Sequence, residues 1–167
     1  MKKLLVIVDM QNDFVTGSLA NPEAEKIIPG IVELINKWDG DIIFTQDTHY
    51  DDYLDTQEGK KLPIKHCLDG KWGWQIVKEL DPFHNYRYIK KETFGYSGLA
   101  NEIGYAYDNI YFCGTCTDIC VISNAIILKS AMPESRIIVL KDLCAGTTKE
   151  NHENALKAMA QCQIDIE

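Results

Sequence analysis

A chain of 167 residues, 46% hydrophobic and 25% charged, has the balance of an ordinary globular protein and the length of one domain, residues 1–167, able to bury most of the surface that its unfolded form exposes. Its formal charge of −8 leaves no concentration of Lys and Arg for tracking phosphates or docking on anionic lipid. Neither a nucleic acid nor a membrane is therefore an expected partner.

The chain opens Met1-Lys2-Lys3 and runs through five apolar residues, Leu4–Val8, into Asp9. That run is too short for a signal-peptide core or a membrane span and suits a buried strand. Without an export signal the expected location is cytoplasmic, with the six cysteines as thiols rather than a disulfide framework. A carboxylate at a buried strand end costs several kcal/mol unless it is paired. Asp9 thus needs a charged partner or a chemical task, the alternative being a cap formed by Asp9 or Asp13 in Asp9–Phe14.

Ile27, Ile28, Ile31, Leu34, Ile35 and Trp38 recur at three and four residues, which predicts a helix with Pro29 near its start. Ile42–Thr45 follows as the second strand. Residues 47–72 are long and polar, with too little periodicity for an element, and a loop of that length in a compact domain is more often functional than idle. At its start Asp47 and His49 point to the same side of an extended chain, and Glu58 and His66 return across it. Two carboxylates with two imidazoles suit Zn²⁺, Fe²⁺ or Mn²⁺. The plainer reading is an acidic loop, since Asp51, Asp52 and Asp55 lie there too.

The third strand is Tyr86–Ile89, closed by Lys90 and Lys91. Side chains alternate along a strand, so only one of the two lysines points into a site, and a lysine at a strand end is ordinarily solvated. The fourth strand, Ile110–Cys113, runs into Gly114-Thr115-Cys116-Thr117-Asp118-Ile119-Cys120. Thr117 as N-cap puts Cys120 at the third helical position, where free N–H groups and the helix dipole favour a thiolate. A nearby lysine would lower its pKa further, a carboxylate could shuttle its proton, and the N–H groups of the turn could hold an oxyanion. The alternative is a buried cysteine acting as a small hydrophobe. Cys113-Gly114-Thr115-Cys116 has the C-x-x-C spacing, but Cys113 lies inside an apolar strand. Redox chemistry is therefore not expected there, and Cys67, Cys144 and Cys162 are too scattered to complete a zinc site.

Asp118–Ser130 is apolar nearly all round and predicts a buried helix. Ile137–Leu140 is the fifth strand, Glu150–Gln161 a helix with Ala155, Leu156, Met159 and Ala160 on one face, and Gln163–Ile166 a sixth strand. Near-continuous apolar strands indicate a sheet covered on both faces. The expected fold is α/β, a doubly wound three-layer sandwich with a mainly parallel six-stranded sheet and a site beyond the strand C-termini.

Five segments in this order resemble the isochorismatase-like cysteine hydrolase family, nicotinamidase/pyrazinamidase branch. They are Val8–Phe14, Thr45–His49, Leu62–Cys67, Lys91–Phe94 and Gly114–Val121, and Asp142–Thr148 is similar as well. The resemblance spans nearly the whole chain. It implies a triad of Asp9, Lys91 and Cys120, with Lys91 chosen over Lys90 because an aromatic, Phe94, stands three residues on. It also implies a cis peptide between Thr115 and Cys116, with the N–H groups of Cys116 and Cys120 as oxyanion donors. Asp47, His49 and His66 match the family's metal ligands, with Glu58 in place of a further histidine; zinc is the expected ion, iron or manganese the alternatives.

The implied reaction is hydrolysis of nicotinamide to nicotinate and ammonia through a thioester on Cys120. Phe14, Leu19 and Leu62 are expected as apolar walls, the metal as a ligand for the pyridine nitrogen, and a dimer or tetramer as the assembly. Between Tyr53 and Lys61 no aromatic stands out as a stacking partner for the ring. Another small amide, a ureido or carbamoyl compound, or isochorismate are the alternative substrates; a flavodoxin-like binding module with an accidental triad is the non-enzymatic alternative.

Overall fold

In a computed structural model, which describes residues 1–82 and 84–167, six strands form one sheet. They are β1 (Lys3–Val8), β2 (Asp41–Asp47), β3 (Arg87–Lys91), β4 (Asn109–Thr115), β5 (Arg136–Ala145) and β6 (Asp165–Ile166), in the order β3-β2-β1-β4-β5-β6. Every pairing is parallel, so the sheet goes beyond the mainly parallel one expected. The order reverses between β1 and β4, which opens a crevice beyond the C-terminal ends of these strands.

The continuous apolar run of β1 follows from burial on both faces. Leu4, Val6 and Val8 enter one core with Ile110, Phe112, Val121 and Leu128, while Leu5 and Ile7 enter the other with Ile27, Ile31 and Phe44. The helices are α1 (Asn12–Val15), α2 (Pro22–Lys37), α3 (Gln57–Lys61), α4 (Leu99–Ile103), α5 (Ile122–Ala131) and α6 (Lys149–Gln161). The first two pack in the second core; α4, α5 and α6 pack in the first. Asn21 caps α2 by accepting from Glu23 N–H, with Pro22 in its first turn, and Thr148 caps α6 through Asn151 N–H. No helix among the described residues is long and apolar enough to cross a membrane.

Boundaries depart from the sequence reading where polar residues continue a strand. β2 reaches Asp47 and β3 reaches Lys91, so both residues are on the sheet and face each other in register. β5 runs through Lys141 and Asp142 to Ala145, re-pairing with Gly114 and Thr115 after a bulge. The segment read as a loop without elements holds α3 and the 3₁₀ turns Tyr53–Asp55 and Trp72–Trp74, all too short to show periodicity. The fourth connection also differs. Cys116, not Thr117, is the N-cap, and its carbonyl accepts from Ile119 N–H and Val121 N–H, a widened turn that leads into α5.

Candidate active site

Asp9 follows β1 with φ of 48°, a left-handed conformation that aspartate tolerates better than most residues. Its carboxylate is fully buried; Thr45 Oγ1 donates to Oδ1 at 2.6 Å, and Lys91 Nζ lies 2.6 Å from Oδ2. Lys91 is the close charged partner of Oδ2, which keeps a lone pair open. The alternation along β3 separates the two lysines. Lys90 is exposed, paired with Asp69 and lying over the Trp74 ring, whereas Lys91 is buried. Lys91 Nζ donates to Asp47 Oδ1 at 3.2 Å and Thr93 O at 3.1 Å, and it stands 3.5 Å from Cys120 Sγ. The structure thus brings positions 9, 91 and 120 around one ammonium.

Electrostatics set the resting protonation. Burial pushes the Asp9 carboxyl above its usual range against the pull of Lys91. Burial also opposes the Lys91 charge, but the Asp9 and Asp47 carboxylates outweigh it and hold the ammonium well protonated. For Cys120 burial dominates and pushes the thiol up, with Lys91 opposing. This departs from the helix-terminus argument, which favoured a standing thiolate: the widened turn is buried, and desolvation outweighs its dipole. A thiol with an adjacent base is the resting arrangement.

The second cluster lies on the other side of Asp47. Its Oδ2 is 2.9 Å from His49 Nε2 and 3.4 Å from His66 Nε2, and Glu58 Oε1 is 3.5 Å and 3.7 Å from the same two nitrogens. Ligand atoms held at about 2.0–2.1 Å from one ion stand roughly 2.9–3.4 Å apart at adjacent positions, close to these spacings. His66 Nδ1 donates to Ile64 O at 2.8 Å, which leaves Nε2 bare as a lone-pair donor. Glu58 Oε1 is buried with no hydrogen-bond donor, the mark of an atom that lacks its partner. The donor set fits a divalent ion. Burial opposes ionisation of Asp47, yet Lys91, His49 and His66 hold its carboxyl well below the usual range.

Both clusters open on one cavity of about 440 Å³. Phe14, Leu19 and Leu62, the expected walls, line it together with Phe94 and Ile119, and Cys116 and Cys120 lie at its edge. The Thr115–Cys116 peptide is cis. Sequence reasoning missed three supports. Gln11 clamps the Asp47 backbone, donating from Nε2 to Asp47 O and accepting Asp47 N–H at Oε1. Asp13 accepts Cys67 N–H at 2.7 Å, which fixes the chain just after His66. Tyr53 is a buried aromatic whose ring packs at 4.6 Å and 5.0 Å from the His49 and His66 rings and so braces both imidazoles. Asp13 carried a signal as a candidate loop cap, and it does cap backbone N–H groups of Ser18 and Cys67.

Comparison with known proteins places this geometry in a family. The isochorismatase domain profile matches residues 3–166. The nicotinamidase of Saccharomyces cerevisiae is 33% identical over 47% of this chain, a match that spans only 50% of that protein. An uncharacterized isochorismatase family protein PncA of Bacillus subtilis is 29% identical, covering 96% of this chain and 95% of that one. The structure of the pyrazinamidase of Pyrococcus horikoshii in complex with zinc has 27% identity and a TM-score of 0.84, covering 100% of this chain and 99% of that one. With the match running from β1 to β6, the chain belongs to the isochorismatase family.

Proposed function

We propose that this protein is a metal-containing cysteine amidohydrolase that converts nicotinamide and water to nicotinate and ammonia. The observation that carries the reading is the Lys91 ammonium, buried between Asp9, Cys120 and Asp47, with Asp47 shared by the four-residue donor set that adjoins it. Relatives named nicotinamidase and pyrazinamidase support the substrate class.

Asp9 Oδ2 accepts the Cys120 proton, and Lys91 stabilises the thiolate formed. The sulfur adds to the carboxamide carbon, with the N–H groups of Cys116 and Cys120 as donors to the oxyanion. Asp9 returns the proton to the nitrogen, the C–N bond breaks, and ammonia leaves a thioester on Cys120. A water deprotonated by Asp9 then adds to the thioester, releasing the acid and the thiol. Asp47, His49, Glu58 and His66 would hold the divalent ion, zinc first given the zinc-bound relative and iron or manganese otherwise, and it would supply a Lewis acid to a ring nitrogen. Phe14, Leu19 and Leu62 flank the ring.

The isochorismate reading is disfavoured by charge. That substrate is a dicarboxylate, and among the described residues no Lys or Arg lines the cavity, whereas Asp47 and Glu58 do. A ureido compound would leave the apolar walls without a partner. Residues 1–167 are read as one domain, acting in the cytoplasm as a dimer or tetramer; the six free thiols fit a reducing compartment. The deciding experiment is ammonia release from nicotinamide by the zinc-loaded protein, with Cys120→Ala beside it. Activity that survives Cys120→Ala, or no release by the wild type, removes the proposal.

A further inference from the structure

A ring with one carboxamide leaves much of the cavity unused. Even at the roughly 30 Å³ that a water molecule takes in the liquid, nine heavy atoms claim about 270 Å³ of the cavity's 440 Å³. The unused part has distinctive walls. Beyond the residues that flank the ring, the lining includes Ala20, Pro22 and Ile119, and the polar residues next to them in the chain or in the lining are already engaged within the protein. Asn21 accepts Glu23 N–H and donates to Gly146 O, and Thr147 donates to Asp118 and accepts from Asn151. Among the described residues no Lys or Arg lines the cavity. Phe94 lines the same cavity and is 45% exposed, a large apolar surface left open to water.

We infer that the cavity selects aromatic carboxamides whose ring carries an uncharged apolar substituent, seated among Ala20, Pro22, Ile119 and Phe94. The inference rests on the amidase reading and names the substrate class for that same site. An apolar substituent there gains burial with no polar group to desolvate. An anionic substituent would be buried against apolar walls with no Lys or Arg among the described lining residues to pair with it.

The test compares kcat/KM of the zinc-loaded protein for nicotinamide, its 5-alkyl and 6-alkyl series from methyl to propyl, and its 5-carboxylate. In at least one alkyl series kcat/KM matches or exceeds that of nicotinamide, rising by up to about fourfold per buried methylene. The carboxylate falls by about a hundredfold. Ala20 is exposed on a loop, so Ala20→Trp fills the lobe without disturbing a core, and the ratio of alkyl to parent kcat/KM falls about tenfold. Turnover of nicotinamide with both alkyl series below it, a carboxylate cleaved as well as the parent, or a ratio unchanged in Ala20→Trp overturns the inference and leaves the amidase reading standing. Absence of ammonia from every compound overturns both.

Discussion

Lys91 offers the sharpest test of whether positions 9 and 91 form one electrostatic unit. In Lys91→Met the Asp9 and Asp47 carboxylates stay buried while their shared cation disappears, and stripping one partner from a buried ion pair costs about 3–5 kcal/mol. Asp9→Asn is milder. Lys91 keeps Asp47 Oδ1 at 3.2 Å and Thr93 O at 3.1 Å, so the loss is nearer the about 1.5–3 kcal/mol of one charged hydrogen bond. Asp9→Asn combined with Lys91→Met removes both members of the closest pair, and its cost falls short of the two single costs added together by about 1–3 kcal/mol. Urea unfolding followed by emission of the three tryptophans measures all four proteins, with chelator present because bound metal would add its own stabilisation. Ammonia release falls to background in all three variants, so recovered stability without recovered activity separates the structural from the chemical task. Costs that simply add within about 0.5 kcal/mol would show that the 2.6 Å contact carries no coupling and refute the reasoning.

Three shorter expectations follow from neighbouring groups. Zinc at about a hundred times its dissociation constant raises stability by about 2.7 kcal/mol, and Glu58→Ala loses most of that gain at the same concentration; a thermal shift equal to the wild type's would remove Glu58 from the donor set. Gln11→Ala frees the Asp47 backbone and weakens zinc about 10–100-fold in calorimetric titration, whereas an unchanged affinity would reduce Gln11 to packing. Asp9 accepts a proton only when ionised, and burial raises its pKa, so the acid limb of kcat/KM falls above the ordinary aspartate value of about 3.9; a profile flat down to pH 4 would contradict this.

The parts of the fold legible in the sequence are those whose burial leaves a pattern. Leu4–Val8 reads as a strand because alternate residues enter two different cores, and no such run survives by accident. The strand ends were harder, for the reason that makes them useful. Asp47 and Lys91 are polar, so an apolar criterion stops short of both, yet the sheet continues through them. The clusters were legible as residue types at suggestive spacings, while the groups that hold them in place were not. Gln11 reaches the backbone 36 positions away and Asp13 the backbone 54 positions away, distances across which one sequence shows no pairing. The protonation of Cys120 was misjudged because capping and dipole are local and visible in a sequence, whereas desolvation depends on everything packed above the turn.

Charge balance explains why nucleophile and donor set adjoin. Asp9 and Asp47 pair with the ammonium of Lys91, and Glu58 stands beyond Asp47 against His49 and His66, an acidic surplus in a mostly buried region. Burial pushes the Asp9 and Glu58 carboxyls up, which is how such a surplus relieves itself when no further cation is present. A divalent ion between Asp47, His49, Glu58 and His66 would cancel the surplus without new protein charge. Asp47 joins the two halves, with Oδ1 toward Lys91 and Oδ2 toward both histidines. It can do so because it sits opposite Lys91 in the register of two parallel strands, so the hydrogen-bonded sheet rather than a loop sets the spacing between sulfur and ion.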